Sequence, residues 1–441
     1  MGGGGDDGTK AGDVRAGAGS RLRDAGLSRR NHMLYHLYEF QRATLQPMRL
    51  FAHGALSMLD APFNPLRPTP IGRLTAAALD SFEHSTRRFG KPEFGHAHTV
   101  IDGERVEVTE MVVASRPWCD LKRFRRAAHR PDDPVVLMVA PMSGHYATLL
   151  RGTVEAFLPD HEVYITDWRD ARDVPLMVAD FTLDDYIETV MDFVRLLGPR
   201  THLVAVCQPA VPVLAAVALM NANEPAAAPC SMTLIGGPID TREGPTAVNH
   251  FAKRHDLDWF RRNVIHPVPF GHAGFLRKVY PGFLQLAGFL AMNLDRHVEA
   301  HWQMFLHLVQ GDGEPLAAKR AFYEEYRAVM DMSADYYLET IRAVFHEHLL
   351  PRGLMTWHGE RVDTTAIRRT AMLTIEGERD DISGIGQTKA AHGLTPHLPA
   401  AMKQHLEQKG VGHYGLFNGR RFREEVAPRI QSFMREAARL G

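Results

Sequence analysis

The sequence predicts an α/β protein, a mainly parallel sheet flanked by helices, with a helical block inserted late. Three observations carry this. From residue 135 short apolar runs alternate with amphipathic helical stretches; the alternation stops between about Asp240 and Gly359; and it resumes at Ala371. Repeated β-α units of this kind build parallel sheets, and an interruption by helices alone reads as a cap over the sheet's C-terminal edge.

Residues 1–30 hold Gly, Ala, Asp and Arg with almost no large apolar side chains. Ordering them would cost entropy without burying surface, so a flexible tail is expected. Between Met33 and Leu59 apolar residues recur at mixed helical spacings until Pro62 and the Pro65, Pro68 and Pro70 cluster, which predicts one or two helices within an N-terminal helical and extended segment, 31–130. The runs Val135 to Ala140 and Glu162 to Thr166 suit strands buried on both faces. Thr182 to Asp185 reads as a capping box, and Leu183, Ile187, Val190, Met191, Val194 and Leu197 share one face of the helix it opens, which Gly198-Pro199 ends. His202 to Val206 is the next strand, a helix follows from about Pro209 to Met220, and Ser231 to Ile235 is another strand. After the cap, strands are expected at Ala371 to Ile375 and Lys403 to Glu407, then a C-terminal helix carrying Phe422, Val426, Ile430 and Phe433. The core is thus 131–239 with 360–441, and the cap 240–359.

The chain has 51 basic and 52 acidic residues and a formal net charge of -1. That balance argues against a nucleic-acid partner, which would require a basic surplus. The one dense basic run, Lys122 to Arg126, reads as a solvated face or loop. Three cysteines, Cys119, Cys207 and Cys230, do not make a disulfide framework and fit a reducing compartment. No export signal and no membrane-length apolar stretch is evident, so a cytoplasmic location is expected.

The sharpest chemical feature is Ala205-Val206-Cys207-Gln208-Pro209-Ala210, a strand that meets a nucleophile-capable residue and turns at once into a helix. Such an elbow exposes the side chain at the sheet edge and aims the next N–H at a developing oxyanion. The helix N-terminus favours a thiolate. Elbows usually carry glycine two residues to either side; here Ala205 and Pro209 stand there. Past the strand at Ala371, the loop Glu376-Gly377-Glu378-Arg379-Asp380-Asp381 offers an orienting carboxylate, with Asp380 preferred and Asp381 the competing choice. His413, between Gly412 and Tyr414, lies in a glycine-rich loop near the C-terminus. The order nucleophile, acid, histidine is that of the α/β-hydrolase fold. In this reading His413 handles the thiol proton and then activates water, while Asp380 holds the imidazole. The Gln208 N–H and one from the loop Pro141 to His145, Ser143 ahead of Met142, form the oxyanion hole. His145 is a second histidine candidate, but its early position breaks the order. No metal site or cofactor is called for.

With these residues identified, the chain resembles the intracellular polyhydroxybutyrate depolymerases. The likeness runs from Met33 through Val139 to His145, Ile165 to Trp168, Val206 to Pro209, Glu376 to Ile382 and Gly412 to Gly415, nearly to the C-terminus. It implies an α/β-hydrolase fold and hydrolysis of intracellular poly(3-hydroxybutyrate) at a storage-granule surface, or of hydroxybutyrate oligomers, by a Cys/Asp/His set mapping onto Cys207, Asp380 and His413. A hydrophobic polymer calls for an apolar groove, for which Trp259, Phe260, Trp302, Met304 and Phe305 in the cap are candidates, each also suited to core packing. Competing readings are a synthase-like acyl transfer from coenzyme A and granule binding without catalysis. Whether the chain forms a homo-oligomer is left open.

Overall fold

The computed structural model describes residues 33–128, 130–292 and 324–440. The expected tail at 1–30, and Trp302, Met304 and Phe305, lie outside the described residues.

A helical hairpin comes first, α1 (Leu34–Leu59) and α2 (Pro70–Thr86). The N-terminal apolar pattern becomes a single long helix, and Pro47 sits inside it rather than ending it. Three strands follow, β1 (His98–Ile101), β2 (Glu104–Ser115) and β3 (Cys119–Arg126), each pair antiparallel. The alternating units are then β4 (Val135–Val139), α3 (Arg151–Phe157), β5 (Glu162–Trp168), α4 (Leu183–Leu197), β6 (Thr201–Val206), α5 (Ala210–Asn223) and β7 (Ser231–Ile235). Within the inserted block lie α6 (Ala247–Arg254), α7 (Leu257–Asn263), α8 (Gly282–Met292) and α9 (Ala334–Thr340). The chain re-enters the sheet with β8 (Ala371–Gly377) and β9 (Lys403–Gln408) and closes with α10 (Ala427–Leu440).

One nine-stranded sheet has the order β1-β2-β3-β5-β4-β6-β7-β8-β9. From β5 to β9 every pairing is parallel, while β3 joins β5 antiparallel. Strand β4 lies between β5 and β6, so successive connections leave it in opposite directions. In open α/β sheets that reversal leaves a crevice at the carboxyl ends of the strands. All six residues of β6 are buried, as a central parallel strand requires. Helix α5 is apolar on all sides and buried almost throughout, unlike the one-faced α4, whose start is fixed by the reciprocal Thr182–Asp185 capping box.

The antiparallel edge corrects the expectation for the basic run. Lys122 to Arg126 is strand β3, not a solvated loop. The Arg126 side chain is fully buried and donates to the Leu158 and Pro159 carbonyls and to Glu162; Arg123 also pairs with Glu162, and Lys122 with Glu110 and Asp167. Pairing turned a charge run into an internal network because β5 and its neighbours place carboxylates opposite it. No helix among the described residues is long and apolar enough to cross a membrane.

Candidate active site

Strand β6 delivers its next residue, Cys207, to the crevice with φ of 67°. A left-handed backbone at a residue with a Cβ is strained, and it persists only where the surroundings enforce it. Here the Cys207 N–H remains tied to the Ile235 carbonyl at 2.7 Å, while the Cys207 carbonyl already accepts from Ala210 N–H at the start of α5. The chain must reverse within those bonds, and the side chain is pushed up from the sheet edge. Glycines flanking the nucleophile are replaced by a different close fit. A Cβ at Gly237 would lie 2.1 Å from the Ala210 Cβ and 3.2 Å from the Cys207 oxygen, so the space sits across the turn rather than along it. Gly237→Ala is therefore expected to destabilise the fold by about 1–3 kcal/mol through overpacking, measured by urea denaturation, with a parallel loss of esterase activity.

His413 stands over the same edge in the turn after β9, buried, with Nδ1 2.7 Å from Asp380 Oδ2. Asp380 is in turn fixed by its other oxygen, which accepts the Ile382 and Ser383 N–H groups, each at 2.9 Å. The adjacent Asp381 is exposed and does not take this place. Gly236, φ 55°, backs the pair: a Cβ there would lie 3.1 Å from His413 Cε1 and 3.3 Å from Asp380 Oδ2. Burial of the ring opposes its charge, but the Asp380 carboxylate and then the Cys207 sulfur outweigh that and hold the His413 pKa well above the ordinary 6.5. Cys207, His413 and Asp380 thus come together from three strand ends widely separated in sequence. A histidine set between a cysteine and a carboxylate is an arrangement that can activate a cysteine nucleophile.

The loop after β4 faces the elbow. Trp168 Nε1 and the Tyr186 hydroxyl both donate to the Ala140 carbonyl at 2.9 Å, anchoring its base. Between the two weighed donors, Met142 N–H is engaged by the Gln208 side-chain Oε1 at 3.1 Å, whereas Ser143 lines the cavity beside Cys207. The Gln208 side chain therefore acts as a strut between elbow and loop, a role no sequence signal announced. His145 is buried and its Nε2 meets the Tyr326 carbonyl at 3.0 Å; burial lowers its pKa to about 4, so it is neutral and lies apart from Asp380.

Above these groups is a cavity of about 700 Å³. Its described walls are mostly apolar: Val211 from α5, Phe251 and Phe260 from α6 and α7, and Tyr336, Tyr337 and Val344 from α9 and the turn that continues it. Of the cap residues anticipated, Phe260 lines the cavity, whereas Trp259 stacks on the His255 ring 3.9 Å away and is absent from the described lining. The tyrosines of α9 were not anticipated, since aromatic residues at helical spacing are indistinguishable from core.

A mainly parallel sheet with flanking helices, a strained cysteine at a strand-to-helix turn, and an acid and a histidine following later strands define an α/β-hydrolase fold. Residues 236–438 match the family described as PHB de-polymerase C-terminus, a little under half of the chain. The matched region carries Asp380 and His413. Similar solved structures include a putative lipase from Acinetobacter baumannii AYE, at 12% identity and TM-score 0.40, covering 76% of this chain and 92% of that one. Naproxen esterase from Bacillus subtilis is 14% identical, TM-score 0.42, with 82% and 96% covered. A bacterial membrane phospholipase A is 14% identical, TM-score 0.41, with 76% and 87% covered. No curated protein matches the chain.

Proposed function

We propose that the protein hydrolyses poly(3-hydroxybutyrate) ester bonds through a Cys207 acyl-enzyme, acting on the intracellular storage polymer. The observation that carries this is the strained Cys207 turned toward a histidine that Asp380 holds at 2.7 Å. The matched family region contributes Asp380, His413 and much of the cavity wall, and the apolar cavity suits a chain of ester and methyl groups.

The Cys207 thiolate attacks the ester carbonyl carbon, and the tetrahedral oxyanion is received by the N–H groups of Gln208 and Ser143. Collapse breaks the C–O bond; His413 gives its proton to the leaving alkoxide, releasing a chain with a free hydroxyl and leaving a thioester on Cys207. Neutral His413 then takes a proton from water, whose oxygen attacks the thioester. A carboxylic acid leaves, and the thiolate–imidazolium pair is restored. Asp380 keeps the imidazole in the needed tautomer throughout.

The test is incubation of the purified protein with amorphous poly(3-hydroxybutyrate) granules and, separately, with 3-hydroxybutyryl-coenzyme A. Acid release from granules, without coenzyme A release and polymer growth, is expected. Free coenzyme A with a lengthening polymer would make the protein a synthase-like acyltransferase instead, and granule binding with no acid release would remove the catalytic reading.

A further inference from the structure

A second, polar pocket lies on the far side of the loop that carries Ser143. It measures about 240 Å³, and five guanidiniums line it: Arg42 from α1, Arg87 and Arg88 beyond α2, Arg172 after β5, and Arg327. Asp331 is the one carboxylate in that described lining. Three more carboxylates stand just outside, Asp170 on Arg172, Glu324 on Arg87 and Glu39 4.0 Å from Arg88. Arg42 donates to the Tyr38 hydroxyl at 3.1 Å and pairs with no carboxylate among the described residues. Phe89 lies under two of the cations, with Arg87 4.7 Å and Arg327 5.9 Å from its ring centre. Among the described residues, four carboxylates are set against these five guanidiniums. Burial, then the mutual repulsion of Asp170 and Asp331, opposed by Arg172, raises the Asp170 pKa above the usual carboxylate range.

The pocket is mechanically joined to the hydrolytic site. Asp331 accepts from the Tyr35 hydroxyl at 2.6 Å and from Gly282 N–H at 2.9 Å, and its own N–H donates to Asp170 at 3.1 Å. One and two residues earlier the same segment meets the Ser143 loop: Met330 N–H donates to the Gly144 carbonyl at 2.7 Å, and Val329 bridges His145. A ligand that draws on Arg172 or displaces Asp331 must shift a segment bonded directly to the residues after Ser143.

We propose that this arginine pocket is a regulatory site for a small phosphate-class oxyanion. Guanidinium forks bind tetrahedral oxyanions through paired N–H groups, which gives them an advantage over a single carboxylate for such a cluster. The site is independent of which ester the enzyme cleaves.

Isothermal titration of the full-length protein with inorganic pyrophosphate at constant ionic strength, with sodium chloride and 3-hydroxybutyrate as controls, tests the inference. One saturable pyrophosphate site is expected, weakened by about tenfold or more in Arg42→Gln and only partly restored in Arg42→Lys, which keeps the charge but not the fork. Should Arg42→Gln fail to fold by circular dichroism, the exposed Arg88→Gln variant is read in its place. Saturation is also expected to change amide exchange in the peptide spanning 141–146. No saturable heat beyond that of chloride, or heat unaffected by these substitutions, would overturn the site. Tighter binding of 3-hydroxybutyrate would overturn the ligand class, and unchanged exchange at 141–146 would overturn the regulatory role.

Discussion

Cys207→Ala is expected to reduce kcat for ester hydrolysis by about four orders of magnitude or more, because the proposed route has no nucleophile without the thiol. The fold should survive. The substitution removes one sulfur from a half-buried position and leaves the His413–Asp380 bond in place. Cys207→Gly separates strain from chemistry further. Relief of the left-handed φ of 67° should raise stability by about 1 kcal/mol while activity stays lost. The checks are initial rates on a soluble ester, urea denaturation of both variants, and mass spectrometry for an acyl adduct on the wild-type thiol. An alanine variant that retains a substantial share of wild-type turnover would exclude Cys207 as the nucleophile.

Asp380→Asn is expected to lower kcat by about 10²–10⁴-fold, with the larger change in pH dependence. Asparagine can still accept the Ile382 and Ser383 N–H groups through its oxygen, so the loop should hold while the charge facing His413 disappears. In the wild type the His413 pKa is raised, so its contribution to stability is complete below the unfolded value of about 6.5 and is lost as pH rises through the raised native pKa. Without the carboxylate, burial disfavours the imidazolium with less to oppose it, and the His413 pKa falls. Alkylation of Cys207 near pH 6 should then slow, because the cation that stabilises the thiolate is lost. Alkylation rates between pH 5 and 9 and denaturation at pH 6 and 9 provide the measurement; variant profiles that overlay the wild type would refute the coupling.

The parallel strands were readable because full burial on both faces writes itself as continuous apolar runs, and Ser231–Ile235 ends where the sequence places it. The capping box at Thr182 and the stop at Gly198 were equally legible, since both depend on a few neighbouring residues. The antiparallel strands β1 to β3 were not. Their residues are largely polar or exposed on one face, and what makes them strands is pairing with one another and, through β3, with β5, a contact remote in sequence.

At the site, the candidate nucleophile, acid and histidine were nameable from their order and from the turns that follow strands. Four acids crowd the loop from Glu376 to Asp381, and only the fold divides their work. Glu376 is buried and accepts from Gly386, Thr388 and Lys389 N–H groups, Glu378 from Gly410 N–H, Asp380 meets His413, and Asp381 faces out.

By itself the sequence determined the alternation of strands and helices, the place of the insertion, and the residue types available for chemistry, since each is a property of local pattern. The tertiary structure decided which side of each turn faces the crevice, that Gly237 and Ala210 supply the clearance usually left to flanking glycines, and that five arginines from four separate segments line one pocket. Those outcomes depend on distances between segments far apart along the chain, and such distances exist only once the sheet has closed around its core.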